Sequence, residues 1–154
     1  MQRLSLVSAA LFSALALAAC ASPSEALAFQ PPAGWNAGPS LFGIVQLWTD
    51  PKRADSVVML MRVPVSAGNQ DASLRDRYLQ NGRVVSNREI KICGAHPAHF
   101  SILEGTGKSG KRSRAELVVT VWNGTTYMSL YGRDRGQPAD PNAESALKSV
   151  CLKK

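Results

Sequence analysis

Apolar residues along this chain recur mainly with a period of two, and only two short stretches change to a helical period. Leu41 to Thr49 (L-F-G-I-V-Q-L-W-T) is β-rich and apolar throughout, which predicts a strand covered on both faces. The loop Asp50-Pro51-Lys52-Arg53-Ala54-Asp55 predicts a turn, and Ser56 to Val63 an antiparallel partner. After Pro64, Asp71 can cap a helix to about Gln80, with Leu74 and Tyr78 on one stripe and Asn81-Gly82 as the stop. Arg83 to Ile92 alternates as a third strand, and Ala98 to Glu104 follows the turn Cys93-Gly94-Ala95-His96-Pro97 as a fourth.

The clearest local signal is Asn123-Gly124, two residues between β-rich runs, because a type I′ turn needs positive φ at both central positions. That turn pairs Val121 with Thr126, Val119 with Met128 and Leu117 with Leu130 on one face, the expected core face. Thr120 with Tyr127, Val118 with Ser129 and Glu116 with Tyr131 fall on the other. Asp140 as N-cap and Pro141 at the first helical position open a closing helix, with Ala143, Ala146, Leu147, Val150 and Cys151 on one stripe. The order ββαββββα predicts an α+β domain, an antiparallel sheet of about six strands with helices packed on it. Trp35, among turn residues, is the expected first core side chain.

The first 20 residues read differently. Arg3 precedes an uncharged run, Leu4 to Ala19, too short for a comfortable membrane span and suited to a signal peptide. It ends Leu17-Ala18-Ala19-Cys20, which resembles the lipobox of bacterial lipoproteins, and the resemblance implies that Cys20 is lipidated and opens the mature chain. The alternatives are a conventional cleavage, for instance after Ala26-Leu27-Ala28, or a retained N-terminal helix. Residues 20–32, rich in Pro, Ser and Ala, read as a tether, and 33–154 as one domain.

Composition fits a globular domain, 45% hydrophobic and 19% charged. The net charge of +7 favours anionic partners such as phospholipid headgroups, acidic polysaccharide or an acidic protein. Nucleic acid is not expected for an exported chain without aromatic residues interleaved among its cations.

From about Pro32 to Leu152 the chain resembles the PsbP-like fold, on its element order, Pro32-x-Gly34-Trp35, Cys93-Gly94-x-x-Pro97, the Tyr127 to Tyr131 strand and the closing helix near Cys151. Members of that fold are mostly binding or assembly-assisting proteins, so the resemblance implies a non-enzymatic accessory role. No cofactor is expected, and a monomer is.

With Cys20 set aside, Cys93 and Cys151 are two thiols in an exported chain, which predicts a disulfide; a buried free pair or a redox site are the alternatives. Lys108, Lys111, Arg112 and Arg114 place four cations in seven residues, a candidate polyanion contact. His99, Tyr127, Tyr131 and Arg133, with Arg135 in the same cluster at the end of the hairpin, form a candidate ligand face beside the last helix, with packing of the tyrosines under that helix as the simpler account. Cys93-x-x-His96-x-x-His99 has metal-ligating types, but a disulfide removes the thiolate and Pro97 separates the imidazoles, so no metal is expected. Gly105-Thr106-Gly107-Lys108-Ser109 imitates the end of a P-loop, yet Ile102 stands where that motif needs glycine and a strand follows instead of a helix. Nucleophile-elbow, zinc-protease and dinucleotide motifs are missing from the sequence. The expectation is a lipid-anchored, extracytoplasmic binding or accessory domain of a bacterial cell envelope, with an envelope protein, anionic lipid or polysaccharide as partner. A small envelope enzyme or metal carrier using His96 and His99 is the alternative.

Overall fold

The computed structural model describes residues 26–63, 80–107 and 110–154. Among them are seven strands: β1 (Asn36–Ala37), β2 (Val45–Asp50), β3 (Arg53–Val63), β4 (Gln80–Ile92), β5 (His96–Thr106), β6 (Arg112–Trp122) and β7 (Thr125–Asp134). They form one sheet in the order β1-β2-β3-β7-β6-β5-β4, every neighbouring pair antiparallel. A single described helix, α1 (Pro141–Leu147), follows.

This corrects the expected α+β arrangement of about six strands with helices packed on the sheet: the described chain is mostly antiparallel sheet with one short helix. The strands run past the apolar patterns that announced them, because a central strand's ladder satisfies its backbone whatever its side chains. Arg53 to Asp55, read as loop, begin β3, and Arg112 pairs with Thr106, which in turn pairs with Gln80. The predicted helix from Asp71 lies outside the described residues up to 79; Gln80, its expected last residue, opens β4 instead, so Asn81-Gly82 does not end a helix.

The closing helix starts as its sequence dictates. Asp140 Oδ1 accepts from the Asn142 amide at 2.8 Å and Pro141 occupies the first turn. It ends earlier than expected, because Ser149 Oγ donates to the Ala146 carbonyl at 2.8 Å and so competes with the next turn of helix. Cys151 is therefore in an extended tail, not on the helical stripe. There it is bonded to Cys93 with Cα atoms 5.7 Å apart, its carbonyl accepts from the Ala28 amide at 2.7 Å, and Leu152 bridges to Leu27.

Alternation gives the sheet two apolar faces. On the helix face Val58, Leu60, Phe100, Val118, Tyr127 and Tyr131 are buried beneath Ala143, Ala146, Leu147 and Val150, with Leu27 and Phe29 completing the cover. On the opposite, methionine face, a smaller cluster of Leu103, Leu117 and Met128 packs with Met61, Val119 and Leu130. The register set by Asn123-Gly124 is the one predicted, Val121 opposite Thr126 through Glu116 opposite Tyr131. The assignment of the main core is reversed, since the face of Tyr127, Val118 and Tyr131 carries the larger one. Only the helix and tail, placed by tertiary contacts, decide which apolar face is covered.

Asp140 ties the helix start to the sheet. Its carboxylate accepts from Trp35 Nε1 at 3.2 Å and from Arg53 at 3.3 Å, and its amide donates to the Tyr131 hydroxyl at 3.1 Å. Trp35 meets the Tyr131 ring edge-on at 6.0 Å. Asp50 holds Arg53 at 2.7 Å. The Lys52 amide and then Arg53, against the opposing effect of burial, keep the Asp50 carboxyl below its ordinary value.

Replacing both cysteines (Cys93→Ser with Cys151→Ser) should lower the unfolding free energy by about 4 kcal/mol, the chain-entropy value for a loop of this length. Urea denaturation checks it, and hydrogen exchange should rise first at the Ala28 amide, whose partner is the Cys151 carbonyl.

Candidate functional site

The two ends of the sheet differ in chemistry. At one end lie the Cys93 turn, the Asn123-Gly124 turn and the start of β2; at the other lie the starts of β4 and β6 and the ends of β5 and β7. At this second end the register aligns Arg83 with Glu104, Glu104 with Arg114, and Arg114 with Arg133 across four adjacent strands. One row of the helix face therefore carries three guanidinium groups and one carboxylate. Like charges directly opposite are unfavourable, so Arg114 beside Arg133 requires counter-charge. Glu116, two residues along β6 on the same face, supplies it.

Glu104 Oε1 accepts from Arg114 at 3.0 Å, and Oε2 lies 3.2 Å from Arg83 and 3.4 Å from Arg135. Glu116 Oε1 takes Arg133 at 3.1 Å and Arg114 at 3.4 Å. Arg133 also donates to the Gln137 carbonyl at 2.8 Å and lies over the Tyr131 ring at 5.6 Å. Burial alone would raise the pKa of Glu104, but the Arg83 bond, the field of Arg135 and the Arg114 bond outweigh it and hold the carboxyl below its ordinary value. Burial raises the pKa of Tyr131, with the Asp140 amide working against it.

A cavity of about 150 Å³ opens beside this row, lined by Arg83, Glu104, Gly105, Thr106, Arg112 and Arg135. Three arginines face one carboxylate there, and that carboxylate is already bonded by three guanidiniums. Among the described residues no carboxylate pairs with Arg112. The Arg135 amide donates to the Arg112 carbonyl at 3.0 Å and the Gly107 amide to the Lys111 carbonyl at 2.8 Å, which fixes the backbone around the cavity. Such an arrangement can take an oxyanion by charge-assisted, fork-shaped hydrogen bonds.

The residues singled out in the sequence are distributed over several places. Cys20 and Lys108 lie outside the described residues. Lys111 pairs with Asp55 at 2.9 Å, and that partner raises its pKa. Arg112 lines the cavity, while Arg114 is spent within the sheet on Glu104 and Glu116. Tyr131 and Tyr127 are buried beneath the helix and its flanking segments. His99 stands opposite Glu89 and Val119 on the methionine face, so it does not share a surface with the tyrosines. There is a groove beside α1, of about 210 Å³, but Arg88, Phe100, Arg114, Glu116 and Lys148 line it in place of the predicted residues. His96 stacks on Trp122 with centroids 3.4 Å apart, and its Nε2 lies 2.9 Å from the Val121 carbonyl oxygen.

The sequence reading missed Arg83, Glu104 and Glu116, and it placed Arg135 in the tyrosine cluster beside the last helix, not with Arg83 and Arg112. A signal for Glu116 was present: the hairpin register already placed it opposite Tyr131, with the predicted cation Arg114 two residues away on the same face. The methionine face has its own concavity, about 280 Å³, lined by Val57, Met59, Met61, Leu103, Ala115 and Leu130, with Asp55 and Lys111 also bordering it.

Because the Glu104 pKa is depressed on folding, its contribution to stability is complete above the ordinary glutamate value of about 4.3 and is lost as pH falls through the lower folded value. Glu104→Gln should cost about 2–3 kcal/mol at pH 7, by removing the charge that Arg83, Arg114 and Arg135 share, and should flatten the acid limb of the stability profile. Thermal unfolding between neutral and acid pH measures both.

No protein-family model and no curated protein matches this sequence. Solved structures do resemble it. A protein of unknown function from Pseudomonas aeruginosa, PA94, superposes with a TM-score of 0.54 at 10% identity, covering 78% of this chain and 98% of its own. A structure from Bacteroides thetaiotaomicron superposes with a TM-score of 0.59 at 18% identity, covering 86% of this chain and 47% of its own. At these identities the likeness is one of fold.

Proposed function

We propose that this chain is a lipid-anchored, extracytoplasmic binding domain of a bacterial cell envelope, non-catalytic, whose recognition site is the cavity between Arg83, Arg112 and Arg135. The observation that carries this reading is the local charge, three guanidiniums around one carboxylate that is already fully engaged. Its ligand is a group bearing clustered negative oxygens, a phosphate or paired carboxylates, presented by an envelope partner or a small molecule. Two further features support it. The lipobox at Leu17 to Cys20 places the domain on a tether, and residues 27 and 28, where that tether joins the fold, bond to the tail near Cys93 at the opposite end of the sheet. The arginine cavity then faces away from the anchor, toward what the tether can present it to. The PsbP-like resemblance of the sequence agrees with an accessory role.

The metal-carrier alternative loses its geometry. His96 and His99 belong to opposite faces of β5, His96 is stacked on Trp122, and Cys93 is in a disulfide. Among the described residues no group of three His, Cys, Asp or Glu side chains is placed to hold a metal.

Titration calorimetry with inorganic pyrophosphate and citrate as probes tests the proposal. At low ionic strength both should bind. The triple variant Arg83→Gln, Arg112→Gln, Arg135→Gln should lose at least roughly tenfold in affinity, since each charge-assisted hydrogen bond contributes about 1.5–3 kcal/mol. An unaltered chain that binds neither probe, or a triple variant that binds equally well, overturns it.

A further inference from the structure

The end of the sheet opposite the arginines carries an exposed apolar tip. Between β1 and β2, the Ile44 amide donates to the Leu41 carbonyl at 3.0 Å, and Phe42 and Gly43 have φ of 54° and 63°. That is a two-residue turn with both central residues left-handed, a position that favours asparagine, aspartate or glycine at its first site. Phe42 occupies that site and is 89% exposed, with Leu41 at 43% and Ile44 at 37% beside it. Within the described chain nothing compensates for an aromatic ring in a strained turn and in water. Conformational strain of this kind persists where a function retains it.

Other features gather at the same end. Val121, in the last pair but one of β6, is 48% exposed. Lys91, one residue before the end of β4, is exposed, as are Lys153 and Lys154 beyond Leu152. The Arg62 amide donates to the Ile44 carbonyl, which places that arginine beside the tip. Of the described side-chain carboxylates only Glu89, three residues before the end of β4, comes close to this end. The Phe42 tip at β2 and the Cys93 corner at the end of β4 are separated by five strand spacings, roughly 24 Å, so they form two margins of one broad surface.

We propose that this end docks on an anionic lipid surface: Phe42, Leu41 and Ile44 enter the boundary between headgroups and acyl chains, while Lys91, Lys153 and Lys154 lie over lipid phosphates. An apolar wedge at one margin of a surface and cations at the other are the chemistry of an interfacial membrane contact. The nearness of the membrane rests on the anchor reading. Cys20 and Leu27 are seven residues apart, at most about 25 Å of extended chain, and Leu27 is fixed to this end through Leu152. Docking would orient the domain so that the arginine cavity points away from the bilayer.

The experiment uses the full chain reconstituted in vesicles of phosphatidylglycerol and phosphatidylcholine with brominated acyl chains, which quench nearby tryptophan. Phe42→Trp should add emission that these vesicles quench, and Arg83→Trp at the far end should add emission that they do not. Changing Lys91, Lys153 and Lys154 to glutamine should reduce the quenching at position 42. Equal quenching at both positions, or quenching only at position 83, overturns the proposal. Phe42→Asn separates docking from folding: it suits the turn, so the melting temperature should hold or rise while contact with anionic vesicles weakens. A fall in melting temperature would assign Phe42 to the fold and overturn the proposal. Mass spectrometry of Cys20 in chain isolated from envelopes tests the anchor independently. An unmodified Cys20 overturns the anchor reading and leaves a positive quenching result standing.

Discussion

Among the described residues, one seven-residue helix lies on a sheet of seven strands and is too short to cover its larger apolar face alone; how that face is completed sets the arrangement of the rest. Two extended segments complete the cover, Leu27 to Phe29 and Val150 to Leu152, and they are bridged to each other by Leu27 and Leu152. Neither segment belongs to the sheet. The Cys93–Cys151 bond and the hydrogen bond from Trp122 Nε1 to the Val150 carbonyl at 2.9 Å hold the tail down, and the tail holds the entering chain. Phe29 then reaches the ring of Trp48 at 4.9 Å, so the strap extends toward the β2 side of the sheet.

The same cover accounts for the position of the charges. Where the helix and strap lie, the rows across the sheet are apolar and buried; beyond Asp140, at the end they leave uncovered, the rows become Arg83, Glu104, Arg114 and Arg133. Glu104 and Glu116 are nonetheless largely buried, because the long arginine stems lie over them. Buried carboxylates of this kind fix register more than they add stability, since a strand slipped by one residue would turn an arginine or glutamate into the methionine face. A sheet whose two faces are both apolar needs such a device, as alternation alone does not distinguish them.

Much of the antiparallel ladder was legible because its determinants are local. Asn123-Gly124 sets a turn type and thereby ten residue pairs. Asp140-Pro141 carries the local chemistry of a helix start, a capping carboxylate followed by a preset φ. What misled was also local: Gly82, Asn81 and the polar stretch from Arg53 to Asp55 have turn chemistry, yet pairing with neighbouring strands draws them into the sheet, and Ser149 ends a helix whose apolar spacing continues. Arg83 and Glu104 meet across β4 and β5, whose register shifts between Gln80 and Arg83 and between Val84 and Ser86, and Arg135 follows the end of β7. No spacing within the chain encodes their meeting.

The sequence by itself determined most of the extended segments and where the sharpest hairpin turns, because these depend on backbone preference over a few residues. Only the tertiary structure decided which apolar face became the main core, and that the arginines converge at one end while Phe42 is left bare at the other. Those outcomes depend on strand order and on what lies over each face, and both are set by contacts between residues far apart in the chain.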